Sequence, residues 1–100
     1  MTRYRIDGMI VDTDRATAHW DEDTRFDGSN YISRATGSQW NHEELYRSRR
    51  GRYYVVHWSQ WQGSTAHAEW VSLEEAARWL LSQDHDLPDD LADLAEEVME

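Results

Sequence analysis

Apolar positions cluster most clearly between Glu43 and Trp58, where the β-rich runs Glu-Glu-Leu-Tyr-Arg and Arg-Tyr-Tyr-Val-Val-His-Trp flank Ser-Arg-Arg-Gly. Two β-rich runs joined by a short stretch ending in glycine predict a hairpin, expected to form the centre of an antiparallel sheet. A type I turn over Ser48 to Gly51, with Gly51 left-handed, sets Ser48 against Arg52 and Tyr46 against Tyr54, where aromatic pairs stabilise a ladder. Upstream, Asp7-Gly8 is a favoured two-residue turn, so Arg3 to Thr13 reads as a first hairpin with Ile6 opposite Met9 and Tyr4 opposite Val11. Asp12-Thr13-Asp14 ends that strand with residues that bond their own backbone, and Ala16 to Trp20 fits a short strand or a turn. Charged, Ser, Gly and Asn residues dominate from Asp21 to Gln39, which predicts an ordered surface loop pinned by Phe26, Tyr31 and Ile32.

Beyond the central hairpin, Ser59 to Thr65 breaks the pattern and Ala66 to Val71 supplies another strand, giving a sheet of about four to five strands built on two hairpins. The period then changes. Ser72-Leu73-Glu74-Glu75 is a capping box, and Leu73, Ala76, Ala77, Leu80 and Leu81 recur at helical spacing, leaving Glu74, Glu75 and Arg78 outward. This helix is expected to stop between Ser82 and His85. Pro88 suits the first turn of a second helix, with Leu87, Leu91, Leu94, Ala95 and Val98 as its apolar stripe and Asp89, Asp90, Asp93, Glu96 and Glu97 facing away. The pattern as a whole predicts a single α+β domain over residues 1–100, with a sheet in 1–71 covered by two acidic C-terminal helices in 72–100.

Composition sharpens this picture in three places. Hydrophobic residues make up only 39% of the chain, but six tryptophans and five tyrosines bury large areas each, so one compact core remains feasible. Cysteine is absent, which removes disulfides, thiolate metal sites and thiol nucleophiles, and every basic residue is arginine, suited to bidentate pairing with carboxylates. The net charge of −10 is unevenly placed: residues 1–71 carry ten acidic and nine basic side chains, whereas residues 72–100 carry ten acidic side chains and only Arg78. That asymmetry argues against nucleic acid or an anionic membrane as a direct partner and for attraction to a basic surface. The N-terminus has no apolar stretch resembling a signal peptide or membrane span, so a cytoplasmic location is expected.

No catalytic constellation stands out. His19, His42, His57, His67 and His85 show no HExxH-like spacing; His57 and His67 on strands, near Glu43, Glu44 or Glu69, are read as ordinary polar contacts, and no metal or other cofactor is expected. No serine lies in a nucleophile elbow, no glycine-rich loop resembles a phosphate cradle, and Asp21, Glu22 and Asp23 read as a solvated loop. Trp58, Trp61 and Trp70, with Trp40 upstream, are expected mainly to build the core, while Trp61 and Trp40 are the candidate exposed anchors for a protein partner. Arg47, Arg49, Arg50 and Arg52 with Tyr53 and Tyr54 form a basic and aromatic patch of the kind that binds single strands. In so acidic a chain they read instead as a hairpin tip whose arginines pair with the acidic helices.

Asp12-Thr13-x-x-Ala16, Glu44-Leu45-Tyr46-Arg47, Gly51-x-Tyr53-Tyr54 and Leu73-x-Glu75-Ala76-x-x-Trp79, in that order, resemble a group of small proteins carried by phages, plasmids and integrative elements. The likeness spans residues 3–81 and departs from the group's pattern at His57-Trp58-Ser59-Gln60-Trp61, where a glycine-rich stretch usually follows the hairpin. The resemblance implies a non-enzymatic accessory protein of a mobile element, and for small acidic proteins of that kind interference with host defence, as in anti-CRISPR proteins, is a frequent role. The expected partner is therefore a host protein with a basic surface, such as a CRISPR effector, bound by a monomer or homodimer. Asp89, Asp90, Asp93, Glu96 and Glu97 would act as a DNA mimic standing in for phosphates. The alternative is an antitoxin or regulatory module that docks through Trp61 and Trp40.

Overall fold

The computed structural model describes residues 3–38, 40–60 and 65–94. Its frame is a four-stranded antiparallel sheet of β3 (Ala18–Asp21), β6 (Asn41–Arg47), β7 (Tyr53–Ser59) and β8 (His67–Val71), in the order β3-β6-β7-β8. The β6–β7 hairpin lies at its centre with Tyr46 opposite Tyr54. Gly51 at φ 85° takes the left-handed position, its amide donating to the Ser48 carbonyl at 2.9 Å while the Ser48 amide donates to the Arg52 carbonyl at 2.7 Å. The Tyr46 and Tyr54 rings stack with centroids 5.3 Å apart, and the sheet is thereby tied across its two longest strands.

Side chains alternate across a strand, so the unbroken run Tyr53-Tyr54-Val55-Val56 has to be buried on both sides of the sheet, and all four residues are. Tyr53, Val55 and Leu45 face α1 (Leu73–Ser82), where Ala76, Ala77 and Leu80 pack against them together with Leu91 from the C-terminal segment. Tyr54 and Val56 face the opposite way, onto Ile6 and Val11. Those two residues belong to β1 (Arg3–Ile6) and β2 (Met9–Asp12), a separate two-stranded sheet rather than a part of the main one. Its register is the one the sequence predicts, Ile6 with Met9 and Tyr4 with Val11, because Asp7 (φ 49°) and Gly8 (φ 81°) make the two left-handed turn residues that match strand twist. One sheet thus separates two hydrophobic clusters, where a single core was expected.

Three further expectations are corrected. The stretch from Asp21 to Gln39 is not a plain loop: β4 (Thr24–Phe26) and β5 (Tyr31–Ser33) pair as a third hairpin. Phe26 and Tyr31 pack edge-to-face on each other at 5.1 Å and stay exposed, so they close the hairpin rather than pin it to the core. The helical stripe is narrower than its periodicity suggests, since Leu73 and Leu81 are exposed and Trp79 joins the core instead. Among the described residues there is one α-helix; the predicted second helix is a 3-10 helix over Asp89–Leu94, and Ala95 and Val98 lie outside the described residues.

The start of α1 is set by Ser72, whose hydroxyl accepts from the Glu75 amide while the Glu75 carboxylate accepts from the Ser72 amide, both at 3.1 Å. These bonds hold the Glu75 carboxyl below the usual carboxylate range. Replacing Ser72 with Ala should lower the stability of the protein by about 1 kcal/mol, read as a fall in the urea midpoint at unchanged slope. No helix among the described residues is long and apolar enough to cross a membrane.

Candidate functional site: the acidic flank and its neighbours

The acidic flank starts where α1 ends. Gln83 closes the helix, and its buried side-chain carbonyl accepts the Asp23 amide at 2.9 Å, which ties the helix end to the β3–β4 connection. His85 repeats the tie through a ring nitrogen 2.7 Å from the Asp21 carbonyl. The chain then runs back over the helix-covered face of the sheet, with Leu87, Leu91 and Leu94 turned to the core.

The acids of this segment fall into two groups. Asp90 is exposed but paired: its carboxylate accepts from Tyr53 Oη at 2.9 Å and from Arg47 Nη1 at 3.0 Å. Burial, reinforced by that bond to Asp90, pushes the Tyr53 hydroxyl up to about 12. Asp90 thus clamps the C-terminal segment to the sheet, and of the acids expected at the interface it is one that already has a cationic partner. Asp84, Asp86, Asp89 and Asp93 are exposed, and none has a side-chain hydrogen bond or ion pair among the described residues. Asp89 and Asp93 were expected from the sequence; Asp84 and Asp86 were not. Glu96 and Glu97 lie outside the described residues. Because Asp89–Leu94 is a 3-10 helix, Asp89 and Asp93 do not share one face as they would four apart in an α-helix.

The arginines of the hairpin tip divide in the same way. Arg47 pairs with the flank as expected, whereas among the described residues Arg49, Arg50 and Arg52 do not. Arg52 lies on the other side of the sheet, its guanidinium carbon 3.9 Å from the centre of the Trp70 ring. Strand alternation is the reason: Tyr53 and Arg47 project to one face, Tyr54 and Trp70 to the other.

Of the candidate aromatic anchors, Trp40 is 38% exposed and Trp61 lies outside the described residues. Trp58, expected in the core, is 37% exposed and stacks on His42 at 4.4 Å. Both exposed rings sit at the end of the sheet away from the arginine tip, where the Gln60 amide donates to the Trp40 carbonyl.

Histidine and carboxylate side chains crowd that same end. His42 and Glu22 are nearly buried, with His42 Nδ1 2.8 Å from Glu22 Oε2, and Glu22 Oε1 also accepts the Glu43 amide at 2.6 Å. Glu22 is thus a structural partner rather than part of a solvated acidic loop. His57 lies between Glu43 (3.1 Å) and Glu69 (2.9 Å) and stacks on His67. Both of its ring nitrogens face carboxylates, so neither is directed at open space. Among the described residues, the set whose ligand atoms converge is a different one: His19, Asp21 and Glu44, within 4.8 Å of one another on β3 and β6. It fits a divalent cation in donor type, and Tyr46 Oη donates to Glu44 at 3.1 Å behind it. The i, i+2 spacing of His19 and Asp21 on a strand places them on one face and was the available signal; the neighbour Glu44 required the β3–β6 register.

No protein-family model, no curated protein and no solved structure matches this chain.

Proposed function

We propose that the protein is a non-enzymatic binding module of a mobile element that docks its acidic flank on the basic nucleic-acid-binding surface of a host defence protein, as an anti-CRISPR inhibitor does. The observation that supports this reading is the set of four exposed aspartates, Asp84, Asp86, Asp89 and Asp93, which no arginine neutralises. Residues 72–94 contain seven acidic side chains against Arg78 alone, and Arg78 pairs with Glu74 one turn away. The leucines between the aspartates are anchored in the core, so the charges are carried on a fixed backbone and lose little freedom on binding. Such a surface attracts a basic groove over a Debye length, and its association weakens as salt rises.

The test is a plasmid-targeting assay in cells carrying a defined CRISPR system, with the protein and its Asp84→Asn, Asp86→Asn, Asp89→Asn, Asp93→Asn quadruple variant expressed at equal levels. The wild type is expected to protect the targeted plasmid, and the variant to lose at least about tenfold of that protection with an unchanged melting temperature, since rim charges govern association more than folding. Equal protection by both proteins would contradict the reading. Protection lost instead on Trp40→Ala, and insensitive to the aspartates, would favour the aromatic end of the sheet as the interface of an antitoxin-like module.

A further inference from the structure

On the face of the sheet opposite the acidic flank, a cleft of about 450 Å³ opens between the β1–β2 hairpin and the tip of β6–β7. Five of the chain's ten cationic side chains line it: Arg3, Arg15, Arg49, Arg50 and Arg52. The carboxylate among them, Asp12, is already engaged by Arg3 at 3.6 Å and by the Asp14 amide at 2.9 Å. Arg15, Arg49 and Arg50 have no carboxylate partner among the described residues, in a protein whose net charge is −10. A protein with twice as many acids as bases has leftover carboxylates to pair, so three unpaired guanidinium groups at one cleft call for an explanation outside the chain.

The inner wall supplies a second, independent observation. Tyr54, fully buried, and Trp70, its cross-strand neighbour, both line the cleft, and Tyr54 Oη and Trp70 Nε1 are buried polar atoms without a hydrogen-bond partner. Buried polar groups are almost always paired, and each exception asks for a reason. An indole nitrogen only donates, and burial, with Asp12 nearby, pushes the Tyr54 hydroxyl up to about 12, so it too keeps its proton to donate. Donors therefore dominate wall and rim alike. Arg52 lies across the Trp70 ring and its Nη1 meets Met9 Sδ at 3.6 Å, a weak acceptor that a better one displaces easily. Beside these donors, Met9 and Ile10 present exposed apolar surface.

We propose that this cleft binds a small molecule carrying a phosphate monoester on an apolar or planar body of about nucleotide size. Arginines from three separate segments, β1, the turn after β2 and the β6–β7 tip, converge on one place, which suits a dianion with several oxygens better than a single carboxylate. The volume falls within the range of small-molecule sites, about 300–1,000 Å³. Met9 and Ile10 give the body of the ligand a surface to lie on. The two orphaned donors are buried, so the phosphate reaches them only by a rearrangement of the cleft wall. A nucleic-acid strand fits less well, because a polymer extending from the cleft meets the field of an acidic protein about 19 Å thick. The site is independent of the acidic flank, which lies across the sheet.

Titration of the full chain with AMP, followed by calorimetry and tryptophan fluorescence, tests this, with adenosine, inorganic phosphate and a 5′-phosphorylated DNA oligonucleotide of about ten bases in parallel. Saturable AMP binding is expected, at least about tenfold tighter than inorganic phosphate, with no measurable binding of adenosine. Equal binding of adenosine and AMP, or no saturation by AMP up to about 10 mM, would overturn the proposal. An oligonucleotide more than about tenfold tighter than AMP would assign the cleft to a polymer instead. The Arg49→Glu, Arg50→Glu double variant should lose AMP binding at least about tenfold with an unchanged melting temperature. Tyr54→Phe removes an unpaired buried hydroxyl, so it should melt at the same or a higher temperature yet bind AMP several-fold more weakly. A Tyr54→Phe protein of normal affinity would remove the inner wall from the site.

Discussion

Between about pH 10 and about pH 12 the protein should lose about 4–5 kcal/mol of stability. Tyr53 and Tyr54 are both fully buried, and burial, aided by Asp90 for the first and Asp12 for the second, pushes each hydroxyl from 10.0 to about 12. The sign follows from which state keeps its proton. Below pH 10 both hydroxyls are protonated in the folded and unfolded chains, and they impose no pH dependence. Above pH 10 the unfolded chain ionises first, so it binds fewer protons than the folded one, and stability falls until the folded hydroxyls titrate. Each tyrosine then withdraws about 2 kcal/mol by about pH 12, and the two together remove about 4–5 kcal/mol of the roughly 5–15 kcal/mol that holds a domain folded. Tyr46 adds to the fall, because burial and the adjacent Glu44 raise its hydroxyl as well. Urea midpoints taken at intervals from about pH 9 upward should fall steeply past pH 10, and Tyr54→Phe should remove about half of the slope assigned to the pair. A flat midpoint across that range would show that the sheet centre is open to solvent.

Leu80→Ala should cost about 2–5 kcal/mol, while Leu81→Ala, one residue on, should cost less than about 1 kcal/mol. Leu80 is fully buried among Leu45, Tyr53, Val55 and Leu91, so its removal leaves a cavity where α1, the sheet and the C-terminal segment meet. Its carbonyl also accepts the His85 amide at 2.9 Å, at the turn that sends the chain toward the aspartates. Leu81 is about half exposed and leaves no such void. The contrast separates the buried stripe of the helix from the broader one that spacing alone suggests. Similar losses at both positions, in denaturant titrations of the two variants, would mean that the helix is rotated relative to the packing described.

What the sequence made legible was local. Asp7-Gly8, Ser48 to Gly51 and the Ser72–Glu75 box each specify a backbone shape within four residues, and each forms with the predicted register or cap. The C-terminal segment misleads because its leucine spacing satisfies more than one helix type. Leu91 and Leu94 are three apart, and Asp90, held between Tyr53 and Arg47, anchors a short 3-10 turn to the sheet. That anchor could not be foreseen without knowing that Tyr53 and Arg47 pair across β6 and β7 on the helix-covered face. The acidic character of residues 72–100 was plain in the composition, but which acids stay unpaired depends on tertiary partners. The arginine cleft was half visible: Arg49, Arg50 and Arg52 stand together in the chain, whereas Arg3 and Arg15 join them only because the first hairpin folds over Tyr54 and Val56.

In the function we propose, four unpaired aspartates occupy a groove meant for nucleic acid. The most direct measurement of that function is displacement of target DNA from a purified CRISPR effector complex by increasing amounts of this protein, at low and at moderate salt. Wild-type protein should release the DNA, with a potency that falls at least about tenfold as salt rises and falls similarly when Asp84, Asp86, Asp89 and Asp93 are changed to Asn at low salt. DNA that stays bound at every concentration, or is released equally well by the quadruple Asn variant and at both salts, would contradict it.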